Sequence, residues 1–424
     1  MIDTTQTTMA DLPEELREVV IKTLILTEND KMVASDKAAN DYFGASIAIN
    51  SDGTRVVIGA PYAKPEGSID GGVVYIFSYD GVMWAEEAKL TSSDKTAHDY
   101  FGISVSISLD GSRVAVGAYG QDDGVTDAGA VYIFLRTNTT WTQETKIVAN
   151  DRAASDRFGH SVAISSDGSR VVVGAYGANN YVGAAYIFLR TSTTWAQEAK
   201  LLVSGKTVID LFGSSVAISS DGTRVVVGAI YQYEGVTDAG AAYIFLRTDT
   251  NWQQEAKIVA SDGFANDYFG RSVAISMDGS RVVIGASAAE PGDILNAGAA
   301  YIFLRTDINW HQEVKLTPSN RVIGDQFGGS VSISSDGSRV AVGACGSGLD
   351  SNARTGGAYI FLRTDSGWVQ EFELLASNKA TFDQFGYSVS ISGDGVMAAV
   401  GAYGSNPGGT IDAGAAYQYN LNKI

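Results

Sequence analysis

The chain has 424 residues, with 30 Lys and Arg against 48 Asp and Glu, a formal net charge of −18 at pH 7. That excess of negative charge argues against nucleic acid and anionic membrane surfaces as partners. Cys345 is the only cysteine, which excludes an internal disulfide, and no stretch is long and apolar enough to predict membrane insertion.

In chain order, Met1 to Glu15 carries acidic residues and lacks the basic and apolar regions of a secretory leader, so no signal peptide is expected. The compartment stays open. Residues 1–25 are expected to form a tail with one short amphipathic helix over Asp11 to Thr23. Asp11 would cap it, Pro13 sits in its first turn, and Leu12, Leu16, Val19 and Val20 share one side.

Everything after that repeats. A Phe-Gly step recurs at Phe43, Phe101, Phe158, Phe212, Phe269, Phe327 and Phe385, spaced 58, 57, 54, 57, 58 and 58 residues apart. Self-similarity at such a period marks a propeller or a solenoid. The third copy shows the grammar of one unit. Ser161 to Ser165 alternates small and large residues, as a strand facing two different neighbours does. Ser166, Asp167 and Gly168 make a tight turn. Arg170 to Ala175 and Ala184 to Arg190 are apolar on both faces, which predicts strands covered on both sides. Trp195 to Leu201 carries Glu198 and Lys200, and reads as a solvent-facing edge strand guarded by charge.

The expected fold is all-β: a seven-bladed propeller of four-stranded antiparallel blades, each with its Ser-Val-Ala-Ile-Ser strand innermost. The last copy stops after its third strand, at Tyr417 to Asn422. Leu26 to Met32 precedes Phe43 by the same interval that separates Trp84 from Phe101, with Leu26 in the Trp place and Lys31 in the Lys89 place. The N-terminal strand should therefore complete the final blade. The blades are expected at 33–90, 91–147, 148–201, 202–258, 259–316, 317–374, and 375–424 plus 26–32.

The units resemble FG-GAP repeats, the blades of the integrin α-subunit propeller. The likeness rests on Phe158-Gly159, Gly174-Ala175 and Gly183 to Phe188, each recurring in all copies. It is closer to the variant with the Trp252 to Ile258 strand and the Ser261 to Gly270 loop, and it spans Leu26 to Tyr419. The resemblance implies adhesion or scaffolding. It would also imply calcium, but the Asp-x-Asp-x-Asp-Gly loop is absent. The turn at Ser166 to Arg170 offers one carboxylate where calcium needs six to eight oxygens, so no cofactor is expected.

A residue present in every copy belongs first to the framework. The Asp two places before each Phe-Gly, such as Asp156 and Asp267, should close a turn on nearby backbone N–H groups. Asp156, His160 and Ser161 look like a triad on paper, yet the Ser recurs in all copies and the His in none. No metalloprotease, nucleophile-elbow or phosphate-loop motif is present, and no catalysis is expected.

Function should sit where the copies differ. The fourth-to-first and second-to-third loops share one face, called the top here; acidic residues outnumber basic ones there, while the bottom turns are balanced. Such a face would attract a basic partner over about 8–10 Å in physiological salt. Asp122, Asp123 and Asp127 form one distinctive loop, with a cation as a minor alternative to a solvated surface. Tyr231, Tyr233 and Glu234 mix aromatic and acidic groups, which suits a protein or a sugar ring. The residue after each Phe-Gly should stand at the channel mouth, which singles out His160, Arg271 and Tyr387. The sequence thus predicts a non-enzymatic module for a protein partner, with a lectin as the first alternative and a glycan as its ligand.

Overall fold

A computed structural model describes residues 24–203, 209–233, 237–347 and 354–422. They form seven β-sheets arranged as the blades of a closed propeller. The third blade is the type: Ser161–Ile164, Arg170–Ala175, Ala184–Thr191 and Thr194–Leu201 pair antiparallel in that order, from the inside outwards. The expected helix over Asp11 to Thr23 lies outside the described residues, and none of the described helices is long and apolar enough to cross a membrane.

Apolar side chains on both faces of the middle strands serve two different interfaces. Val172 and Ile187 of the third blade pack with Val225, Val227 and Phe245 of the fourth, so each core lies between sheets rather than within one. The Phe of the Phe-Gly step is the pivot. Phe212 is fully buried and meets Tyr243 and Phe245 edge-on, with centroids 5.6 and 6.0 Å apart. The Gly after it lets two blades touch through backbone. A Cβ on Gly174 of the third blade would stand 2.0 Å from the Gly213 carbonyl of the fourth, so only glycine fits.

The invariant Ser is a stitch across that contact. Ser161 Oγ donates to the Gly213 carbonyl at 3.0 Å. Ser388 of the seventh blade does the same to Gly44 of the first, at 2.7 Å, and so joins the two ends of the ring. On the bottom, Asp394 N–H donates to the Ser51 carbonyl at 3.2 Å. The ring is closed.

The fourth strand differs from its expected role. Glu198 does not face solvent; its carboxylate is 9 % exposed and bridges Arg170 of its own blade, at 3.0 Å, to Arg247 of the next, at 2.9 Å. The same Arg–Glu–Arg clamp joins Arg55, Glu87 and Arg136, then Arg113, Glu144 and Arg190. It recurs with Arg224, Glu255 and Arg305, and with Arg281, Glu313 and Arg363. Charge on this strand is a fastening between blades. The reason is that two guanidiniums arrive from different sheets, and one carboxylate satisfies both.

The N-terminal segment closes the ring in two steps. Asp30–Met32 pairs antiparallel with Ala415–Asn420 and supplies the outer strand of the last blade. Lys31 then lies over the Tyr417 ring at 5.3 Å, as Lys89 lies over Tyr75 at 6.0 Å. Ile25–Thr27 departs from expectation. It runs parallel to Gly367–Leu375 and adds a fifth strand to the sixth blade, with Leu26 opposite Leu374 rather than in a Trp place. Leu24 and Leu26 are drawn there by the apolar cluster of Leu374, Tyr419 and Leu421 between the two blades.

Candidate functional site: the upper rim

The residue before each Phe-Gly adopts a left-handed conformation, with φ between +52° and +57° at Tyr42, Tyr100, Arg157, Leu211, Tyr268, Gln326 and Gln384. Backbone bonds from the neighbouring blade hold it there: Tyr100 N–H donates to the Asp70 carbonyl at 3.0 Å, and Arg157 N–H to the Asp127 carbonyl at 3.1 Å. A strained position held by its surroundings presents its side chain in a fixed direction. Here that direction meets the residues that follow each Gly-Ala, among them Tyr119, Tyr176 and Tyr403.

The outcome is a continuous arc of rings across four blades. It runs Tyr387, Tyr403, Tyr42, Tyr62, Tyr100, Tyr119, His160, Tyr176, with successive centroids between 4.3 and 6.0 Å apart. Tyr100 and Tyr119 stack; most other pairs meet edge-on or tilted. Most of these rings are half-buried, leaving one face or edge to solvent, and Tyr387 is exposed. Burial raises the pKa of the Tyr42, Tyr100 and Tyr119 phenols, and it pushes Tyr403 up to about 12, so they remain neutral hydrogen-bonding groups at neutral pH.

Arg157 sits within the arc. Its guanidinium lies 5.8 Å from the Tyr119 centroid and 5.4 Å from that of Tyr176, and Nη1 donates to the Tyr176 hydroxyl. His160 beside it is half-buried. Burial, with the charges of Arg271 and Arg157, drives its pKa down to about 4, so the imidazole is neutral at pH 7. The Arg271 charge acts on His160, Tyr387 and Cys345 alike. Burial raises the Cys345 thiol pKa, and its Sγ donates to Gln326 Oε1 at 3.4 Å.

Of the expected residues, His160 and Tyr387 stand towards the two ends of the ring arc and both feel the Arg271 charge; the others lie elsewhere. Asp122 is exposed, and its side chain accepts the Asp127 N–H at 3.0 Å. Asp123 turns outward to Lys146 and Arg152, at 3.1 and 3.5 Å. The three carboxylates do not converge, and among the described residues no group of three or more His, Cys, Asp or Glu is placed to hold a metal ion. Tyr231 leans on Tyr268 at 5.6 Å, Tyr233 is exposed, and Glu234 lies outside the described residues.

The paper triad is dispersed. Asp156 accepts the Ala153 N–H at 2.8 Å, and its relatives Asp41, Asp99, Asp267, Asp325 and Asp383 make the equivalent bond three residues back. Ser161 is committed to the Gly213 stitch. The acidity of the top face is also partly spent on structure, since Lys146, Lys200 and Lys315 hold Asp94, Asp151 and Asp262 at 2.6–2.7 Å.

The tyrosines between the expected rim residues escaped the sequence reading. Their signal is the variable position on either side of each invariant dipeptide, where Tyr alternates with Pro, Ile, Ser, Leu and Gln.

The FG-GAP repeat family model matches this chain seven times, over residues 26–77, 84–134, 141–188, 195–245, 252–303, 310–361 and 368–419. After the first, each match starts on one blade's outer strand and ends on the third strand of the next, so the unit of the match spans a junction. An FG-GAP propeller suggests a protein-interaction or adhesion-type module, in a family that is typically non-enzymatic. With its blades, stitches and Phe-Gly pivots all inside those matches, the chain belongs to the FG-GAP repeat family of β-propellers.

Proposed function

We propose that this propeller is a non-enzymatic binding module that takes a protein partner on its upper rim, with the tyrosine arc as the anchor. The single observation behind this reading is the unbroken contact of rings from Tyr387 to Tyr176. Tyr supplies a large, stiff contact surface with a polar tip, and such residues carry most of the energy at protein interfaces. Exposed carboxylates in the loops of the same face, such as Asp122 and Asp293, favour a partner with basic groups at its margin.

The test is affinity capture with the wild type, with Tyr62→Ala plus Tyr100→Ala, and with the bottom-turn control Asp249→Asn. A partner held by the wild type and the control but lost from the tyrosine variant supports the reading. A partner held equally by all three refutes it. Half-exposed aromatic rings also favour a second reading, a lectin that stacks sugar faces on the same arc. Capture abolished by enzymatic deglycosylation of the partner would select the lectin.

A further inference from the structure

Seven junctions of one chain offer an internal comparison, and the one that closes the ring is built differently. At the other junctions an Arg stem packs on the turn glycine of the next blade: Arg55 on Gly111, Arg113 on Gly168, Arg224 on Gly279. Five of these junctions carry the full Arg–Glu–Arg clamp. Between the seventh and first blades, strand register puts Met397 where the first Arg belongs, Asn29 in the Glu place and Tyr79 in that of the second Arg. Met397 lies against Gly53, as the arginine stems lie against their glycines. Among the described residues, no ion pair bridges this junction.

A cavity of about 720 Å³ opens there on the bottom face, away from the tyrosine arc, and Tyr79, Met397 and Asn29 line it. Asp30, Asp52, Asp80 and Asp394 line it too, while no Lys or Arg does among the described residues. Asp52 and Asp394 have counterparts in every blade; here Asp52 feels Arg55 of its own blade and Arg339 donates to the Gly395 carbonyl beside Asp394, but the arginine that would stand between the two turns is replaced by Met397. A second sign comes from Trp84, nine-tenths buried and paired with Tyr79 across the strands. Its indole Nε1 has no acceptor, whereas Trp195, Trp252 and Trp310 each donate at 3.4 Å to the preceding blade's Glu, the group Asn29 replaces. Trp141 and Trp368 are also unbonded, but beside a Glu that is in place.

We propose that this closing junction is a docking slot for an arginine side chain of a partner polypeptide. The guanidinium takes the position that the chain's own arginines fill at the other junctions. Its planar fork suits Asp52 and Asp394, which line the cavity. Arginine is preferred to lysine because its planar fork can bond two carboxylates at once, whereas an ammonium is a point charge.

The probe is the blocked tripeptide N-acetyl-Gly-Arg-Gly-amide, titrated against protein carrying 13C-methyl methionine. Its citrulline analogue, isosteric and uncharged, is the control. The expected result is a saturable shift of the Met397 methyl resonance by the arginine peptide and none by the citrulline peptide. Asp52→Asn plus Asp394→Asn, which keeps the turn acceptors, should weaken binding at least tenfold, about 1.4 kcal/mol. A second variant rebuilds the missing clamp. Met397→Arg with Asn29→Glu should raise the melting temperature and abolish peptide-induced stabilisation. An unmoved Met397 methyl at millimolar peptide, or equal shifts from both peptides, overturns the proposal. So does undiminished stabilisation of the rebuilt protein.

Discussion

Glu198 of the third blade accepts a hydrogen bond from Arg247 of the fourth at 2.9 Å while holding Arg170 of its own blade at 3.0 Å. One carboxylate thus fastens two sheets that share no backbone ladder. Removing it leaves two guanidiniums facing each other across a largely buried junction.

Glu198→Ala should therefore cost about 3 kcal/mol in denaturant unfolding, the low end for breaking a buried pair. Burial alone would raise the Glu198 pKa, but hydrogen bonds and charge from Arg170 and Arg247 hold it below the usual value. A depressed acid contributes stability that is present above its unfolded pKa and is lost as pH falls through the folded one. The wild type should lose stability on acidification below about pH 4.3, and Glu198→Gln should lose less over the same range. Parallel pH profiles for the two proteins would refute the assignment.

The turn aspartates work with the opposite sign. Burial raises the pKa of Asp267 although the Phe264 N–H bond at 2.8 Å opposes it. Its ionised form is thus disfavoured in the fold, and stability falls as pH rises from the unfolded towards the folded pKa. Asp267→Asn keeps the acceptor and should be neutral or stabilising at pH 7. Asp267→Ala strands the Phe264 N–H and should cost about 1–3 kcal/mol. Urea melts of the pair separate a turn function from any need for the charge.

Gly174 tests the contact between blades. Gly174→Ala puts a methyl 2.0 Å from the Gly213 carbonyl, and neither backbone can yield without moving a sheet. A loss of about 3 kcal/mol or more is expected. Gly263→Ala is the control, because its Cβ would meet nothing closer than 3.5 Å, and it should stay within about 0.5 kcal/mol of wild type.

His160 should titrate near pH 4 by NMR. Arg271→Met should raise that value only part of the way to the ordinary one, since burial contributes more than the arginine. The native state binds fewer protons here than the unfolded chain, so His160 costs stability as pH falls from about 6.5 towards 4. A normal histidine titration in the wild type would refute the burial of the His160 ring.

The architecture was legible because repetition turns one sequence into seven observations of the same contact. Phe212, Ser161 and Asp156 could be assigned to the framework before any coordinates, since whatever recurs at a fixed offset meets a recurring neighbour. Glu198 shows the limit of that logic. Its recurrence marked it as structural, but period-two alternation puts charge on a solvent face, and nothing local says that two arginines arrive from separate sheets. The tyrosine arc was hidden for a related reason. Tyr62 and Tyr100 occupy different offsets in their repeats and meet only because neighbouring blades bring unlike positions together at 5.3 Å. Aligning the copies on each other conceals contacts of that kind.

The divided attachment of Ile25–Thr27 and Asp30–Met32 carries a consequence for synthesis. These residues leave the ribosome before any blade exists, yet their partners, Glu373 and Tyr417, are made only with the sixth and seventh blades. Throughout elongation they wait as a bare β-edge beside six nascent sheets that could each capture them. Glu28, Asp30 and Lys31 give that edge a charged, water-loving character. Closure of the ring thus waits on a segment made before any of its blades.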